Sequence, residues 1–383
     1  MNAAASPGPR IARRQWLEAG AIGFVATALA ACAERQATAQ LTVTPLTPST
    51  SGLVHLDLNE NPFGPSPRAI EAIRASLGQL ARYTGTEAAS LRKQIAAAEG
   101  VAADQVVLGD VLDAIAVHLA LEGGPGGEFV YSSPGYSAFA DAAQLAGGKS
   151  IAVPLDARLE NDWRALGAAV GPRTRALFVV NPHNPSGTVS DPAVMKNALR
   201  SASSGVFVLV DEAYIEYTDD AGARSCADLV REGHNVAVFR TFSKIHGLAG
   251  LPFGYALVPS VLAARLSQAG IGNPHALDRL AVAAASESLR DAAFLRTVRQ
   301  RIADERAQWF ALLRALHVRF ADSCANFVFF ETGRPHAEFA EAMRAGGVEI
   351  ARTFLPLDSW ARITIGLPEE NARAREAVRR ILG

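Results

Sequence analysis

Short apolar runs alternate with Ala-, Leu- and Arg-rich stretches along the chain from about residue 56 onward. Several of these runs are almost continuously apolar, which is typical of strands covered by helices on both faces of a parallel sheet. Repeated alternation of such strands with helical stretches indicates an α/β architecture with a mostly parallel sheet. The predicted strands are residues 105–108, 128–131, 176–180, 206–210, 236–240 and 255–258.

The pattern changes near residue 274, where long charged helical stretches replace the strand–helix alternation. The predicted elements here are long charged helices over 289–316, a strand over 326–330, a further helix and a strand over 361–365. This order is typical of a smaller α+β domain. We therefore expect a large domain over 55–273, which includes an N-terminal segment, and a small C-terminal domain over 274–383.

The first 39 residues have the three-part composition of an export signal. A basic start containing Arg13 and Arg14 precedes an apolar run over 19–31, and small residues and a polar stretch follow. The arginine pair resembles a twin-arginine signal, with Glu18 where a lysine is more usual. The apolar run is too short to span a bilayer comfortably. The sequence thus predicts an exported, periplasmic protein, or a cytoplasmic one where the signal is not used.

Two processing sites are compatible with this segment. The residues before Cys32 resemble a lipobox, which would make Cys32 the lipidated first residue, whereas Ala-Thr-Ala at 37–39 offers an alternative cleavage site. Residues 40–54 contain prolines separated by Ser and Thr and are predicted to form a linker. Contact with a membrane is therefore expected only through the signal or a lipid anchor.

Composition excludes several other classes of function. The 383 residues include 37 Lys+Arg and 38 Asp+Glu, giving a net charge of −1, and no long basic run that would suit nucleic acid. A hydrophobic content of 49% argues against disorder. The cysteines, Cys32, Cys226 and Cys324, form no CxxC pair, so neither a disulfide framework nor a zinc site is indicated. The chemistry must come from other residues.

Polar residues follow three of the predicted strands, where the carboxyl ends of parallel strands form ligand sites. They are Asn181, Asn184, Asp211, Tyr214, Thr241, Ser243 and Lys244. Asp211 directly follows an apolar run and needs a cationic or hydrogen-bonding partner there. Lys244 is directed toward the same crevice, where burial would favour a neutral, nucleophilic amine, although a lysine on a solvated helix start is the alternative. Neither GxGxxG after a strand nor GxxxxGK[ST] is present, which disfavours dinucleotides and P-loop nucleotides.

A set of motifs spread over the whole body of the chain carries a family resemblance. They lie at 59–67, 82–83, 133–139, 181–188, 211–217, 241–255, 325–330 and 361–366. In this order they resemble the class I/II aminotransferases, and the branch they are most similar to is that of the histidinol-phosphate aminotransferases. The resemblance covers about residues 55–383. It implies the fold-type I architecture of pyridoxal 5′-phosphate (PLP) enzymes, with a large α/β/α domain and a smaller C-terminal α+β domain.

The resemblance assigns roles around the cofactor ring. Lys244 would form the Schiff base with PLP and then move the proton between the substrate Cα and the cofactor, acting as nucleophile and general acid/base. Asp211 would pair with the protonated ring nitrogen and keep the ring an electron sink. Asn184 and Tyr214 match residues that hydrogen-bond the ring oxygen, and Tyr136 matches the aromatic residue that stacks on the ring.

Other matched residues concern the cofactor phosphate. Thr241 and Ser243 match family hydroxyls, and the helix start at Leu112 and Asp113 would offer backbone N–H groups. Tyr83 matches a tyrosine that reaches the phosphate from a neighbouring subunit, which implies a homodimer with shared active sites.

The phosphate residues also include two departures from the family pattern. Leu112 stands where the family has a small residue, and Pro252 stands where it has an arginine. Loss of that arginine removes a bidentate phosphate contact, so either PLP binds more weakly or another basic residue substitutes.

For the substrate, Arg362 matches the arginine that binds an α-carboxylate and Arg352 matches a second active-site arginine, whose alternative is a surface salt bridge. Asn61 falls near the substrate-facing N-terminal segment.

The leading expectation is an exported PLP aminotransferase that moves an amino group between an amino acid, or an amino-alcohol phosphate such as histidinol phosphate, and a 2-oxo acid. Two alternatives remain. A PLP decarboxylase of the threonine-phosphate decarboxylase type shares nearly all the motifs, because orientation at the ring decides which Cα bond breaks. Pro252 and Leu112 leave open a PLP-binding protein without turnover. Because the histidinol-phosphate step belongs to a cytosolic pathway, the export signal argues for a different physiological role.

Overall fold

The structure is a computed structural model that describes residues 52–383. The predicted export signal, its lipobox at Cys32 and most of the predicted linker lie outside these residues. Of the linker, Val54 is already part of a strand. No helix within residues 52–383 has the length and apolar character needed to cross a membrane.

A seven-stranded sheet forms the centre of the larger part of the chain. Its order is β2-β8-β7-β6-β5-β3-β4. The strands are β2 (Val106–Leu108), β3 (Glu128–Ser133), β4 (Lys149–Pro154), β5 (Thr174–Val180), β6 (Phe207–Asp211), β7 (Val236–Thr241) and β8 (Gly254–Leu257). β8 pairs antiparallel with both of its neighbours, whereas the pairings among β3 to β7 are parallel. The prediction of a mostly parallel α/β sheet is confirmed.

Helices cover both faces of this sheet. They are α1 (Pro67–Ser76), α2 (Gly85–Glu99), α3 (Leu112–Leu121), α4 (Ala138–Leu145), α5 (Trp163–Ala169), α6 (Pro192–Ser203), α7 (Ala221–Arg224), α8 (Ala227–Arg231), α9 (Ser260–Gln268) and α10 (Arg279–Arg290). Two apolar clusters, one on each face, bury the alternate side chains of the same strands, so that Val208 and Val210 belong to one cluster and Phe207 and Leu209 to the other. Burial on both faces explains why the strands are continuously apolar.

The C-terminal part has its own apolar centre. Its strands are β9 (Phe327–Glu331), β10 (Val348–Ile350) and β11 (Trp360–Thr364), and its helices are α11 (Ala292–Ala315), α12 (His336–Ala345) and α13 (Pro368–Leu382). β9 and β11 pair antiparallel. Trp309, Phe330 and Phe339 are fully buried between these elements. The N-terminal strand β1 (Val54–Leu56) pairs in parallel with β10 and so ties the start of the described chain to this centre.

Short 3₁₀ helices complete the regular structure of the described residues. They are Leu77–Gln79, Ala103–Gln105, Ile215–Tyr217 and Pro274–Ala276.

The helical stretch predicted over 289–316 consists of the last two residues of α10 and the whole of α11. α10 ends at Arg290, and α11 begins at Ala292 after Asp291, whose backbone has the non-helical angles φ −96° and ψ 55°. The Asp291 carboxylate accepts the backbone N–H of Phe294 at 3.3 Å, as an N-cap residue does. The interruption matters for packing, because Ala281 and Ala284 of α10 belong to the core of the large sheet. The division at 273/274 therefore remains a proposal from sequence, with α10 packed against the larger part.

Candidate active site

A cavity of about 370 Å³ opens at the carboxyl ends of β5, β6 and β7. It brings together eleven of the residues that the sequence pointed to: Leu112, Asp113, Tyr136, Asn184, Asp211, Tyr214, Thr241, Ser243, Lys244, Arg352 and Arg362. The remaining lining residues are Leu58, Asn59, Asp110, Gly135, Val180, Ala213, Phe239 and Phe354. The register explains the meeting point, since Val180 pairs with Asp211, and Asp211 pairs with Phe239.

Asp211 is a carboxylate buried at the end of β6. It is 3% exposed, and the described hydrogen bond to its side chain is the backbone N–H of Ala213 at 2.9 Å. Burial raises the pKa of Asp211 from 3.8 to about 7, and the nearby Glu212 and Glu216 add to the rise, while the Ala213 N–H and Lys244 oppose it. A buried carboxylate with one neutral donor has room for a cation, and a protonated ring nitrogen would supply it.

Lys244 follows β7 and lies in the wall of the same cavity. Its Nζ donates to the carbonyl oxygen of Leu58 at 3.2 Å and lies 5.8 Å from the centre of the Tyr214 ring. The amine is thus held by a single backbone acceptor at the cavity. This position suits a group that exchanges partners during a reaction.

A chain of polar contacts joins Lys244's surroundings to Arg362. The Tyr214 hydroxyl accepts from Nδ2 of Asn59 at 3.0 Å and from Nδ2 of Asn184 at 3.5 Å. Oδ1 of Asn184 accepts from Arg362 at 2.6 Å, and the other terminal nitrogen of Arg362 donates to the carbonyl oxygen of Asp57 at 2.8 Å. Residues from the large sheet, the C-terminal strands and the N-terminal segment therefore fix one another's positions.

Arg362 has one N–H group that remains available to a ligand. It is 8% exposed, and its Nε is buried without a hydrogen-bond partner in the described chain. Burial lowers the pKa of Arg362 to about 10, Arg352 acts in the same direction, and Tyr214 and Asp57 oppose it. The Phe354 ring lies against both guanidinium groups, with its centre 5.1 Å from that of Arg362 and 4.7 Å from that of Arg352. Two cations beside an apolar ring, the buried Arg362 and the exposed Arg352, suit the binding of an anion.

Tyr136 projects into the cavity from the loop after β3. Its side chain is 41% exposed, and burial of the hydroxyl, with Asp211 as the next cause, raises the phenol pKa well above its usual range, so the phenol stays neutral. The turn before it requires glycine, because a Cβ on Gly135 would collide with the carbonyl oxygen of Ser132. A flat, neutral ring at this place can stack on a planar ligand.

The start of α3 also lines the cavity, through Leu112 and Asp113. The first N–H groups of a helix have no partner within the helix, which favours an anion there. Thr241 and Ser243 are further lining residues with hydroxyl groups. Asp110, just before the helix, and Asp113, in its first turn, are acidic, and the pKa of Asp113 is raised by burial and by the charges of Asp110 and Asp141. The cations lining the cavity are Lys244, Arg352 and Arg362, none of which belongs to α3.

Two predicted site residues do not line this cavity. Asn61 is buried, and its Nδ2 donates to the carbonyl oxygen of Ile245 at 2.8 Å, so it supports the loop after Lys244; Asn59, two residues earlier, faces the site. Tyr83 is 77% exposed, and its ring lies 5.1 Å from that of His275, centre to centre, with the two planes tilted by 44°. Its predicted contact with a neighbouring subunit stays a prediction.

A buried ion cluster supports the strand that carries Asp211. The guanidinium of Arg240 contacts the carboxylate of Glu212 at 2.8 Å, and Glu99 and Glu216 at 3.4 Å each. Sequence reasoning missed this cluster, although the adjacent acidic residues 211 and 212 at a strand end were a signal for it. The cluster fixes the ends of β6 and β7, on which Asp211 and Lys244 depend.

The fold and this cavity define the class of protein. A lysine and a buried aspartate at the carboxyl edge of a mostly parallel sheet, with an aromatic ring and two arginines around them, are the parts of a fold-type I PLP enzyme. The model of the aminotransferase class I and II family matches residues 51–381.

Individual relatives agree. A histidinol-phosphate aminotransferase of Symbiobacterium thermophilum is 37% identical over 336 residues, covering 86% of this chain and 91% of that protein. Histidinol-phosphate aminotransferase 2 of Pseudomonas aeruginosa is 35% identical over 340 residues, covering 87% of this chain and 90% of that protein. A solved histidinol-phosphate aminotransferase from Sinorhizobium meliloti, in complex with pyridoxal 5′-phosphate, has a TM-score of 0.76 at 26% identity, covering 86% of this chain and 91% of that one.

The chain therefore belongs to the class I and II aminotransferases. It is a PLP-dependent transaminase with the fold-type I architecture, as the motifs predicted.

The raised pKa of Asp211 predicts a pH-dependent stability. Folding favours the protonated form of this carboxyl, so in the cofactor-free chain its contribution to the free energy of unfolding falls as pH rises from 3.8 toward about 7. We expect Asp211→Asn to gain on the order of 1–4 kcal/mol relative to wild type between about pH 5 and about pH 8. Urea unfolding of both proteins at the two pH values measures this difference.

Asp104→Asn is the control, because Asp104 is an exposed carboxylate at the far end of β2. It should follow the wild-type pH dependence. The contradicting result is a free energy of unfolding that changes with pH equally in Asp211→Asn and wild type. It would show that folding does not raise the pKa of Asp211.

Proposed function

We propose that this enzyme transfers an amino group from an amino acid or an amino-alcohol phosphate to a 2-oxo acid, with Lys244 as its catalytic base. The observation that carries the proposal is the convergence of Lys244, Asp211 and Arg362 on one cavity. Similarity to named histidinol-phosphate aminotransferases supports the amino-alcohol phosphate as a donor.

The residues present fit PLP at its ring. When bound, PLP supplies an electron sink that makes the Cα proton of an attached amine removable. Asp211 would balance the charge of a protonated ring nitrogen, and Asn184 and Tyr214 would bind the ring oxygen. Tyr136 would stack on the ring and limit its access to water.

Lys244 moves the proton. Its Nζ has one backbone acceptor, the carbonyl oxygen of Leu58, so it can release that contact and accept a proton from the substrate Cα. The Arg362 Nε, buried without a partner, orients the substrate by binding its anionic group. Arg352 supplies a second charge nearby, which suits a donor with a phosphate or a second carboxylate.

We expect a defined spectral response to the true donor. Full-length protein loaded with PLP should lose the visible band of the lysine-bound cofactor when that donor is added, and a 2-oxo acid should restore it. Lys244→Ala should bind PLP without this band and lower turnover by about 10³-fold or more, because the nucleophile and the base are lost together. Absorbance titration with single amino acids and with histidinol phosphate measures both.

Lys149→Ala is the control, since Lys149 lies at the start of β4, at the other edge of the sheet. It should respond as wild type does. Release of carbon dioxide from a donor, with the lysine-bound band returning unaided, would favour the decarboxylase instead. A loaded protein that no donor changes would favour the non-catalytic alternative.

We further propose that the enzyme is a homodimer in which Tyr83 completes the partner's site. Tyr83, Leu77 and Leu80 are large apolar residues with 77%, 40% and 58% exposure, which is typical of a covered interface rather than a free surface. The end of this segment is held in place within its own chain, because the Thr84 hydroxyl donates to the carbonyl oxygen of Pro274 at 2.7 Å.

Subunit mixing tests this proposal. Tyr83→Ala and Lys244→Ala chains, each weakly active alone, should regain activity when dissociated and reassociated together, because one site of each hybrid then has both residues. A mixture of Tyr255→Phe and Lys244→Ala chains is the control, since Tyr255 is buried within its own chain. No recovery in the first mixture would contradict shared sites.

We also propose export by the twin-arginine route, from the pair Arg13–Arg14 and the apolar run after it. This route carries folded proteins, so the cofactor can be loaded before export. A fusion of residues 1–54 to a reporter should reach the periplasm, and replacing both arginines by lysine should retain the reporter in the cytoplasm. A double-lysine fusion that is exported equally well would contradict this route.

A further inference from the structure

The start of α3 and the residues just before it bring carboxylates to the part of the cavity where an anion would bind. Asp110 and Asp113 both line it. The pKa of Asp113 is raised by burial and by the neighbouring charges of Asp110 and Asp141. A helix N-terminus carries about half a positive charge, which two carboxylates outweigh.

Pro252 is not a lining residue of the cavity; it lies two residues before Gly254, the first residue of β8. Gly254 pairs with Thr241 across β7 and β8, and the N–H of Gly109 donates to the carbonyl oxygen of Gly254 at 2.9 Å. Residue 252 thus lies two residues before the backbone that joins Asp110's loop to Thr241. Pro252 is exposed and offers neither a charge nor an N–H.

These observations distinguish the end of the cavity that would hold the cofactor ring from the end at α3. The ring end contains the buried carboxyl group of Asp211, whose ionised form a cation would stabilise, and the amine of Lys244. The start of α3 offers backbone N–H groups and two carboxylates, and the three cations that line the cavity, Lys244, Arg352 and Arg362, lie on other elements. A phosphate dianion placed there gains hydrogen bonds but meets like charge.

We propose that the α3 end of the cavity is a weak phosphate site, so that the bond to Lys244 and the ring contacts, rather than the phosphate, retain the cofactor. Asp110 and Pro252 are the residues that set this weak affinity. The inference rests on the proposed role of this cavity in binding PLP. One consequence is that the aminated cofactor, pyridoxamine phosphate, which has no bond to Lys244, leaves the enzyme between half-reactions unless a 2-oxo acid is abundant.

Affinity for PLP compared with pyridoxal, which lacks the phosphate, tests the proposal. Both are titrated into the cofactor-free, full-length protein and followed by the visible band of the lysine-bound ring. In wild type we expect the two dissociation constants to differ by less than about tenfold. Pro252→Arg should tighten PLP by about tenfold or more through a guanidinium contact and leave pyridoxal unchanged. Asp110→Asn should tighten PLP by about threefold, again without an effect on pyridoxal.

Two controls match the charge changes. Pro125→Arg adds the same charge at an exposed proline beyond the other end of α3, and Asp104→Asn removes a charge at the other end of β2. Both should leave the two affinities within about twofold of wild type. Binding of pyridoxamine phosphate is measured by the quenching of tryptophan fluorescence. In wild type its affinity should be lower than that of PLP, and in Pro252→Arg its affinity should rise.

Three results would count against the proposal in distinguishable ways. Wild type that binds PLP about a thousandfold more tightly than pyridoxal, with no gain in Pro252→Arg, would overturn it and indicate a cation from a second copy of the chain. Equal tightening by Pro125→Arg would also overturn it, since any added charge would then suffice. If neither PLP nor pyridoxal produces a visible band, in wild type and in Pro252→Arg alike, the proposed function itself is overturned.

Discussion

The site is organised around a carboxylate buried with too few partners. Asp211 lies at the end of the central strand β6, almost fully buried, with the Ala213 N–H as its described hydrogen bond. A charge in this position is costly until a cation arrives, and the raised pKa of Asp211 records that cost. The surrounding structure prevents relaxation, because Arg240 and its carboxylates fix the neighbouring strand ends. The fold thus buries a carboxyl group whose ionised form a cationic ring would stabilise, and it places Lys244 in the same cavity.

The opposite side of the cavity depends on the joining of distant segments. Arg362 from β11 bonds Asn184 of the large part and Asp57 of the N-terminal segment, and β1 pairs with β10. The substrate side therefore forms only when the C-terminal part and the N-terminal segment are both in place. The α3 side is built within the large part, by the pairing of β2 and β8. The ring, substrate and phosphate ends can consequently change separately, and the two departures noted from the sequence, Leu112 and Pro252, both concern the phosphate end.

Sequence reasoning reached the fold and most of the cavity because both rest on local signals. Continuous apolar runs identified the strands of the large sheet, and motif residues at their ends converged as parallel topology requires. Strands β1 and β10 were missed because three residues give no usable periodicity, and β4 because it is partly exposed. The break at Asp291 was missed because its flanks are equally helical in composition. Asn59, Phe354 and Asp110 were missed as site residues because their positions depend on tertiary contacts, and Asn61 was assigned in place of Asn59 for the same reason.

The central claim is that Asp211 holds the ring nitrogen of the cofactor in its protonated, cationic form. Nuclear magnetic resonance of the loaded enzyme, with the ring nitrogen isotopically labelled, observes that proton directly. The account predicts a protonated nitrogen in wild type across neutral pH and an unprotonated one in Asp211→Asn. An unprotonated ring nitrogen in wild type, or the same spectrum in both proteins, would contradict it.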